Sequence, residues 1–295
     1  MSVGERDPHT GHMTTGHEWN GIKELNTPVP RLVWVALGLT VAFSVIWWIL
    51  FPAWPLGVTY TKGLLGIDQR SRVAEELRAA AADRAEWTGR IAATDPAGIL
   101  AEPDLMEIVR RTGPALFGDN CAVCHGADAK GGPGFPDLTD GAWLWGGAPA
   151  TVLETLRVGI NDIHDETRSS QMLAFGRDGL LDRSEVAQVV AYVQSLSDPA
   201  AAEGAPGAAE SVEAGATVYA ENCAACHADG GTGMTELGAP DLTDGHWVYG
   251  GDRAAIFASV WRGRQGHMPA WEGRLSEVEL KLLAAYVLDL GGAGR

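Results

Sequence analysis

The most pronounced feature of the hydrophobic pattern is a single run, Leu32 to Leu50, of nineteen residues without a charge. At ~1.5 Å rise per helical residue this nearly matches the ~30 Å hydrocarbon layer of a bilayer, so the run predicts a membrane-crossing helix. Eleven of the nineteen are Leu, Ile, Val or Phe, and Trp34, Trp47, Trp48 and Trp54 stand near its ends, where indole rings favour the membrane interface. A cleaved signal peptide is the competing reading. Thirty-one mostly polar residues precede the run, however, and Phe51-Pro52-Ala53-Trp54-Pro55 is unlike a small-residue cleavage site.

Past the run the period becomes that of amphipathic helices. Val73, Leu77, Ala80, Trp87 and Ile91 share one face of a helix over 69–93, read as a stalk packing on the first downstream domain or as a docking face for another membrane subunit. Segments 184–196 and 276–290 repeat apolar residues at three- and four-residue steps, with Ser184 and Ser276 as expected N-caps. These two segments belong to an internal repeat. NCAVCHG at 120–126 returns as NCAACHA at 222–228, and PDLTDG stands identically at 136–141 and 240–245, each followed by an aromatic pair and Gly-Gly. Each copy also carries one methionine loop, at Met172 and Met268. The Ala/Pro/Gly-rich stretch 198–210 separates the copies as a linker.

Composition narrows the function. Twenty-two basic against thirty-eight acidic residues give a net charge of −16, the wrong sign for a nucleic-acid binder. Nearly all of that excess lies after the membrane run, which fits steering of a basic partner protein or simply a soluble acidic surface. Four cysteines in 295 residues are too few for a disulfide scaffold.

All four fall in two copies of Cys-x-x-Cys-His: Cys121, Cys124 and His125, then Cys223, Cys226 and His227. This is the c-type haem attachment signature, in which two thiols on one helical turn bond the vinyl groups and the adjacent histidine reaches the iron. A zinc ribbon would need its two pairs ~15–20 residues apart, and a thioredoxin-like pair would need a βαβ setting. Two covalently bound haem c groups are therefore expected. Met172 and Met268, at matching places in the repeats, are the expected sixth ligands, and a thioether there favours electron transfer over oxygen chemistry. His164 is the alternative to Met172. Met234 lies too close to its histidine, and Met106 precedes its motif. The carbonyls of Pro136 and Pro240 are candidates to receive the second ring N–H of each histidine. Trp143, Trp145, Trp247 and Tyr249 either line the haem edges or simply pack the core. The positive charges flanking the membrane run tie three against three, so orientation rests on the motifs: haem attachment outside the cytoplasm puts the N-terminus inside.

Each repeat, roughly 105–200 and 211–292, resembles a class I cytochrome c domain. The whole chain resembles the CcoP family, the dihaem subunit III of cbb3-type cytochrome c oxidases. The residues that carry this likeness are His17-Glu18-Trp19-Asn20-Gly21-Ile22-Lys23-Glu24-Leu25-Asn26 with Pro28 and Pro30, the Phe51–Pro55 segment, Tyr60-Thr61-Lys62-Gly63 and the tandem PDLTD units. The sequence departs from the pattern where Leu173, rather than proline, follows Met172.

The fold expected is mainly α: a cytoplasmic segment 1–31, an anchor helix 32–56, a stalk 57–104, cytochrome c domains over 105–197 and 211–295, and the linker between them. The resemblance implies a single-pass protein of the bacterial inner membrane with its haem domains in the periplasm. Its partners would be the catalytic haem-copper subunit, the monohaem cytochrome c subunit and a soluble cytochrome c donor. It would carry electrons in aerobic respiration with no oxygen-reducing site of its own. A free-standing dihaem carrier and the haem subunit of a periplasmic dehydrogenase are the other readings.

Overall fold

The computed structural model describes residues 4–202 and 208–291, and it divides into one unit up to Ala82 and another from Asp83. The first unit opens with a hairpin that the reading of residues 1–31 did not anticipate, β1 (Thr14–Trp19) against β2 (Ile22–Leu25). Its two-residue turn is Asn20-Gly21, both at positive φ (51° and 86°), a pairing suited to the mirror-image turns that match strand twist.

Helix α1 (Arg31–Leu50) is the apolar run; an eighteen-residue stretch of it has a mean hydropathy of 2.2, and none of its residues is buried by the rest of the chain. It stops at Leu50 and not at residue 56 as expected. Pro52 disfavours helical backbone at Phe51, which is extended at φ −113° and ψ 163°. The amides of Leu64 and Leu65 return to the carbonyls of Ile49 and Leu50, at 2.9 and 3.1 Å, satisfying acceptors that a helix end leaves open. Asp68 takes hydrogen bonds from the Tyr60 hydroxyl (2.8 Å) and from Ser71 in the first turn of α2 (Gln69–Ala93). These bonds hold its carboxyl down to about 2. Of the expected stripe on α2, Val73 and Leu77 are exposed, whereas Ile91, beyond the unit boundary, is fully buried.

In the second unit the end of α2 leads into α3 (Pro96–Ala101) and α4 (Pro103–Asn120), which runs into the one-turn α5 (Ala122–His125). Then come α6 (Pro149–Val158), α7 (Arg183–Ser197) and the short α8 (Pro199–Ala202). The second repeat supplies α9 (Ala208–Asn222), α10 (Ala224–His227), α11 (Arg253–Arg262) and α12 (Glu277–Leu290). Part of the expected linker, 203–207, lies outside the described residues. Ser276 caps α12 through a capping box with Glu279, as expected. Helix α7 starts ahead of the expected cap: Asp182, two residues before Ser184, accepts from the amides of Ser184 (2.7 Å) and Glu185 (2.9 Å).

The packing does not follow the repeats. Helix α4 of the first repeat crosses α12 of the second, and α9 of the second crosses α7 of the first. Both crossings occur at a glycine. A Cβ at Gly113 would lie 2.6 Å from the Tyr286 ring, and one at Gly215 would lie 2.1 Å from the Gln188 carbonyl. One core joins Phe117, Val152 and Leu156 to Leu280, Leu283 and Val287; the other joins Val186, Val189 and Val190 to Tyr219, Ile256 and Val260. Each core thus combines segments of both repeats, with the closing helix of one against the opening helix of the other. Neither 105–197 nor 211–295 is a packing unit by itself. Loops 159–182 and 263–275 carry the exchange, and short chain connections between α7, α8 and α9 favour the helical hairpin that results.

Candidate functional site: two exchanged haem-attachment pockets

The attachment turns are built identically. Cys121 and Cys223 end α4 and α9, and their carbonyls accept from the amides three and four residues on, at 3.1 and 3.0 Å in both copies. This keeps each cysteine pair on one helical turn beside its histidine. All four thiols are free, Cys124 and Cys226 exposed and Cys121 and Cys223 half-buried. Burial, with the neighbouring cysteine second, pushes Cys121 and Cys223 up to about 11, so both stay protonated at neutral pH.

Each histidine is fixed from behind. His125 Nδ1 donates to the Pro136 carbonyl at 3.2 Å and His227 Nδ1 to the Pro240 carbonyl at 3.0 Å, the partners expected from the sequence. Because a carbonyl only accepts, the proton is assigned to Nδ1 and the Nε2 lone pair is left without a hydrogen-bond partner among the described residues. Burial lowers the pKa of both rings, favouring the neutral form that can bind a metal. Free thiol pairs, a fixed tautomer and an apolar core behind each turn fit a covalently attached haem.

The methionines are exchanged between repeats. Met268 packs on the core that holds Cys121, and Met172 on the core that holds Cys223. The backbone shows the same crossing: Ile160 and Met268 exchange hydrogen bonds at 2.8 and 2.9 Å, and Met172 and Arg264 at 2.8 and 3.1 Å. The structure thus places Met268 on the core of the His125 turn and Met172 on that of the His227 turn, whereas the sequence pattern places each methionine with the histidine of its own repeat. Glycine makes the crossings possible. Gly159 and Gly263, at φ +67° and +72°, would each place a Cβ 2.5 Å from the methionine carbonyl of the other repeat.

His164 is engaged elsewhere: Nε2 lies 2.8 Å from Glu272 and Nδ1 accepts from the Glu166 amide at 3.1 Å. His246 pairs with Asp140 and His267 with Asp162. Met234 joins a local turn with Ala239, and Met106 is buried beside Ile91 and Leu105.

Two arginines escaped the sequence reading. Arg168 lies over Trp145 (5.2 Å) and donates to Thr155, while Arg264 lies over Tyr249 (4.0 Å) and donates to Ser259. Each stands four residues before its repeat's methionine, a regularity that the repeat alignment could have shown.

These features fit a c-type cytochrome whose two Cys-x-x-Cys-His turns follow one apolar helix along the chain. Residues 111–197 match the family described as cytochrome c, and residues 210–287 match cytochrome c oxidase, cbb3-type, subunit III. Residues 11–58 match the N-terminal domain of cytochrome oxidase-cbb3, FixP. The cbb3-type cytochrome c oxidase subunit FixP of Bradyrhizobium sp. (strain ORS 278) is 45% identical over 288 residues, covering 98% of both chains. Subunit CcoP of Azospirillum brasilense is 42% identical over 99% of both, and that of Cereibacter sphaeroides 43% identical over 95% of this chain and 94% of its own. The chain belongs to the FixP/CcoP family of cbb3-type cytochrome c oxidase subunits.

Proposed function

We propose that this protein is the membrane-anchored dihaem electron-transfer subunit of a cbb3-type oxidase. It takes electrons from a soluble cytochrome c and passes them towards the monohaem and haem-copper subunits. One observation carries the reading: twice over, a Cys-x-x-Cys-His turn has its histidine tied by Nδ1 to a proline carbonyl, with a methionine on the same core.

In this reading Cys121 and Cys124, and Cys223 and Cys226, hold one haem c each by thioether bonds. His125 with Met268 and His227 with Met172 would supply the iron ligands of the two haems. Haem c supplies one-electron exchange at iron, and a methionine thioether raises its potential and closes the iron to oxygen. The protein's part is to fix the ligands, exclude water with the two shared cores and compensate charge. Arg168 and Arg264 suit the last role: neither forms a salt bridge among the described residues, and each stands beside a methionine crossing, where it would offer a cation to a haem propionate. Helix α1 crosses the bacterial inner membrane once, with β1 and β2 cytoplasmic and both haem sites periplasmic, where attachment takes place.

The test is purification of the tagged chain in mild detergent, with assays for haem b, copper and oxygen uptake driven by reduced cytochrome c. Co-purifying haem b and copper with turnover supports the oxidase subunit. Haem c alone, without partners or oxygen uptake, contradicts it and favours the free-standing carrier.

A further inference from the structure

We propose that Asn161 is a shared positioning residue, a single side chain that holds the approach to both axial methionines and so tightens or loosens the two haem sites together. The proposal rests on the ligand assignment above. The Asn161 amide nitrogen donates to the Ser170 carbonyl at 2.9 Å and to the Gly266 carbonyl at 2.7 Å. Ser170 stands two residues before Met172 and Gly266 two residues before Met268. The amide oxygen in turn accepts from the Ser170 backbone N–H at 3.1 Å. Two carbonyl acceptors and one N–H donor fix the orientation of the amide and use both of its donors.

The backbone suits the same residue. Asn161 sits at φ +51°, a left-handed conformation that asparagine tolerates better than most residues. It follows Ile160, whose amide and carbonyl pair with Met268, and its own amide donates to the Arg168 carbonyl at 2.7 Å. The arrangement therefore lies where the two exchanged loops meet. It occurs once and not twice: the corresponding position in the second repeat is Gln265, which is exposed. A loop bearing a thioether ligand is held by few groups, and iron–thioether bonds are weak enough to be lost when the loop drifts. Loosening both loops at one point should thus lower the methionine-bound fraction at both irons, and with it both potentials.

The experiment uses the full-length, haem-loaded protein and the variants Asn161→Asp and Asn161→Gly. Aspartate keeps the shape but offers the two carbonyls only acceptors. Glycine keeps the left-handed backbone without strain and removes the amide. The two low-spin ferric haem signals and the methionine–iron charge-transfer band are followed through a redox titration, beside thermal unfolding. The expected result is that both signals lose methionine-bound population and both potentials fall, by about tenfold in the oxidised-to-reduced ratio (~59 mV for one electron) in Asn161→Asp. Glycine should give a smaller loss of the same kind. A change at one haem only overturns the proposal. So does a lowered unfolding temperature with both potentials unmoved. Unsubstituted protein lacking haem c or the methionine–iron band would overturn the ligand assignment itself.

Discussion

Single residues decide whether the exchange can form, and Gly159 shows this most sharply. Its Cβ position is occupied by the Met268 carbonyl at 2.5 Å, and its φ of +67° costs an L-residue roughly 1–2 kcal/mol before any clash. We expect Gly159→Ala to destabilise the folded second unit by about 1–3 kcal/mol and to loosen methionine ligation at the His125 site first, because it displaces Met268, the ligand proposed there. Thermal unfolding together with the methionine–iron band checks this; unchanged stability would show that the loop takes another path. Much at this scale is legible in the sequence. The cysteine motifs, the proline carbonyls behind His125 and His227, and the Ser276 cap all depend on neighbours close along the chain. Asn161 is not legible, since an isolated polar residue in a loop carries no pattern until its distant partners are known, and Arg168 and Arg264 show only as a matched spacing before each methionine.

Helices carry the next level of specificity. Helices α4 and α9 each meet a closing helix at a glycine, and the neighbouring rings Phe117–Tyr286 and Tyr192–Tyr219 pack at centroid distances of 5.8 and 5.1 Å. Two glycines in these opening helices should respond with opposite signs to the same substitution. Gly118 in α4 is exposed with nothing within 4 Å of its Cβ position, so Gly118→Ala should add up to about 1 kcal/mol through helix propensity alone. Gly215→Ala should cost about 1–3 kcal/mol, because the methyl would fall 2.1 Å from the Gln188 carbonyl and force α9 off α7. Denaturant titration of both variants distinguishes them; equal effects would contradict close packing at Gly215. Element types follow from periodicity. Their ends depend on chemistry outside the periodic window: Pro52 beyond α1, and an Asp182–Glu185 capping box that starts two residues ahead of the expected Ser184.

For the molecule as a whole, the sequence shows two equal repeats, and equality is the reason that the partner of each closing helix could not be read from it. Segments 184–196 and 276–290 offer the same apolar stripe to either opening helix, so hydrophobic pattern satisfies both the exchanged and the unexchanged arrangement. The glycine contacts and backbone crossings at Gly159 and Gly263 distinguish them. The consequence is functional. On the proposed ligand assignment each iron would take a ligand from the other repeat, so the two centres would keep a fixed relation during electron transfer.

The most direct test of the exchange is a ligand measurement in single-haem protein. With Cys223 and Cys226 both replaced by serine, only the haem at Cys121 and Cys124 remains. Met268→Ala is then added to one preparation and Met172→Ala to another, and the methionine–iron charge-transfer band is recorded in each oxidised protein. The exchanged arrangement predicts that the band disappears with Met268→Ala and survives Met172→Ala. Loss of the band with Met172→Ala and its survival with Met268→Ala would contradict it.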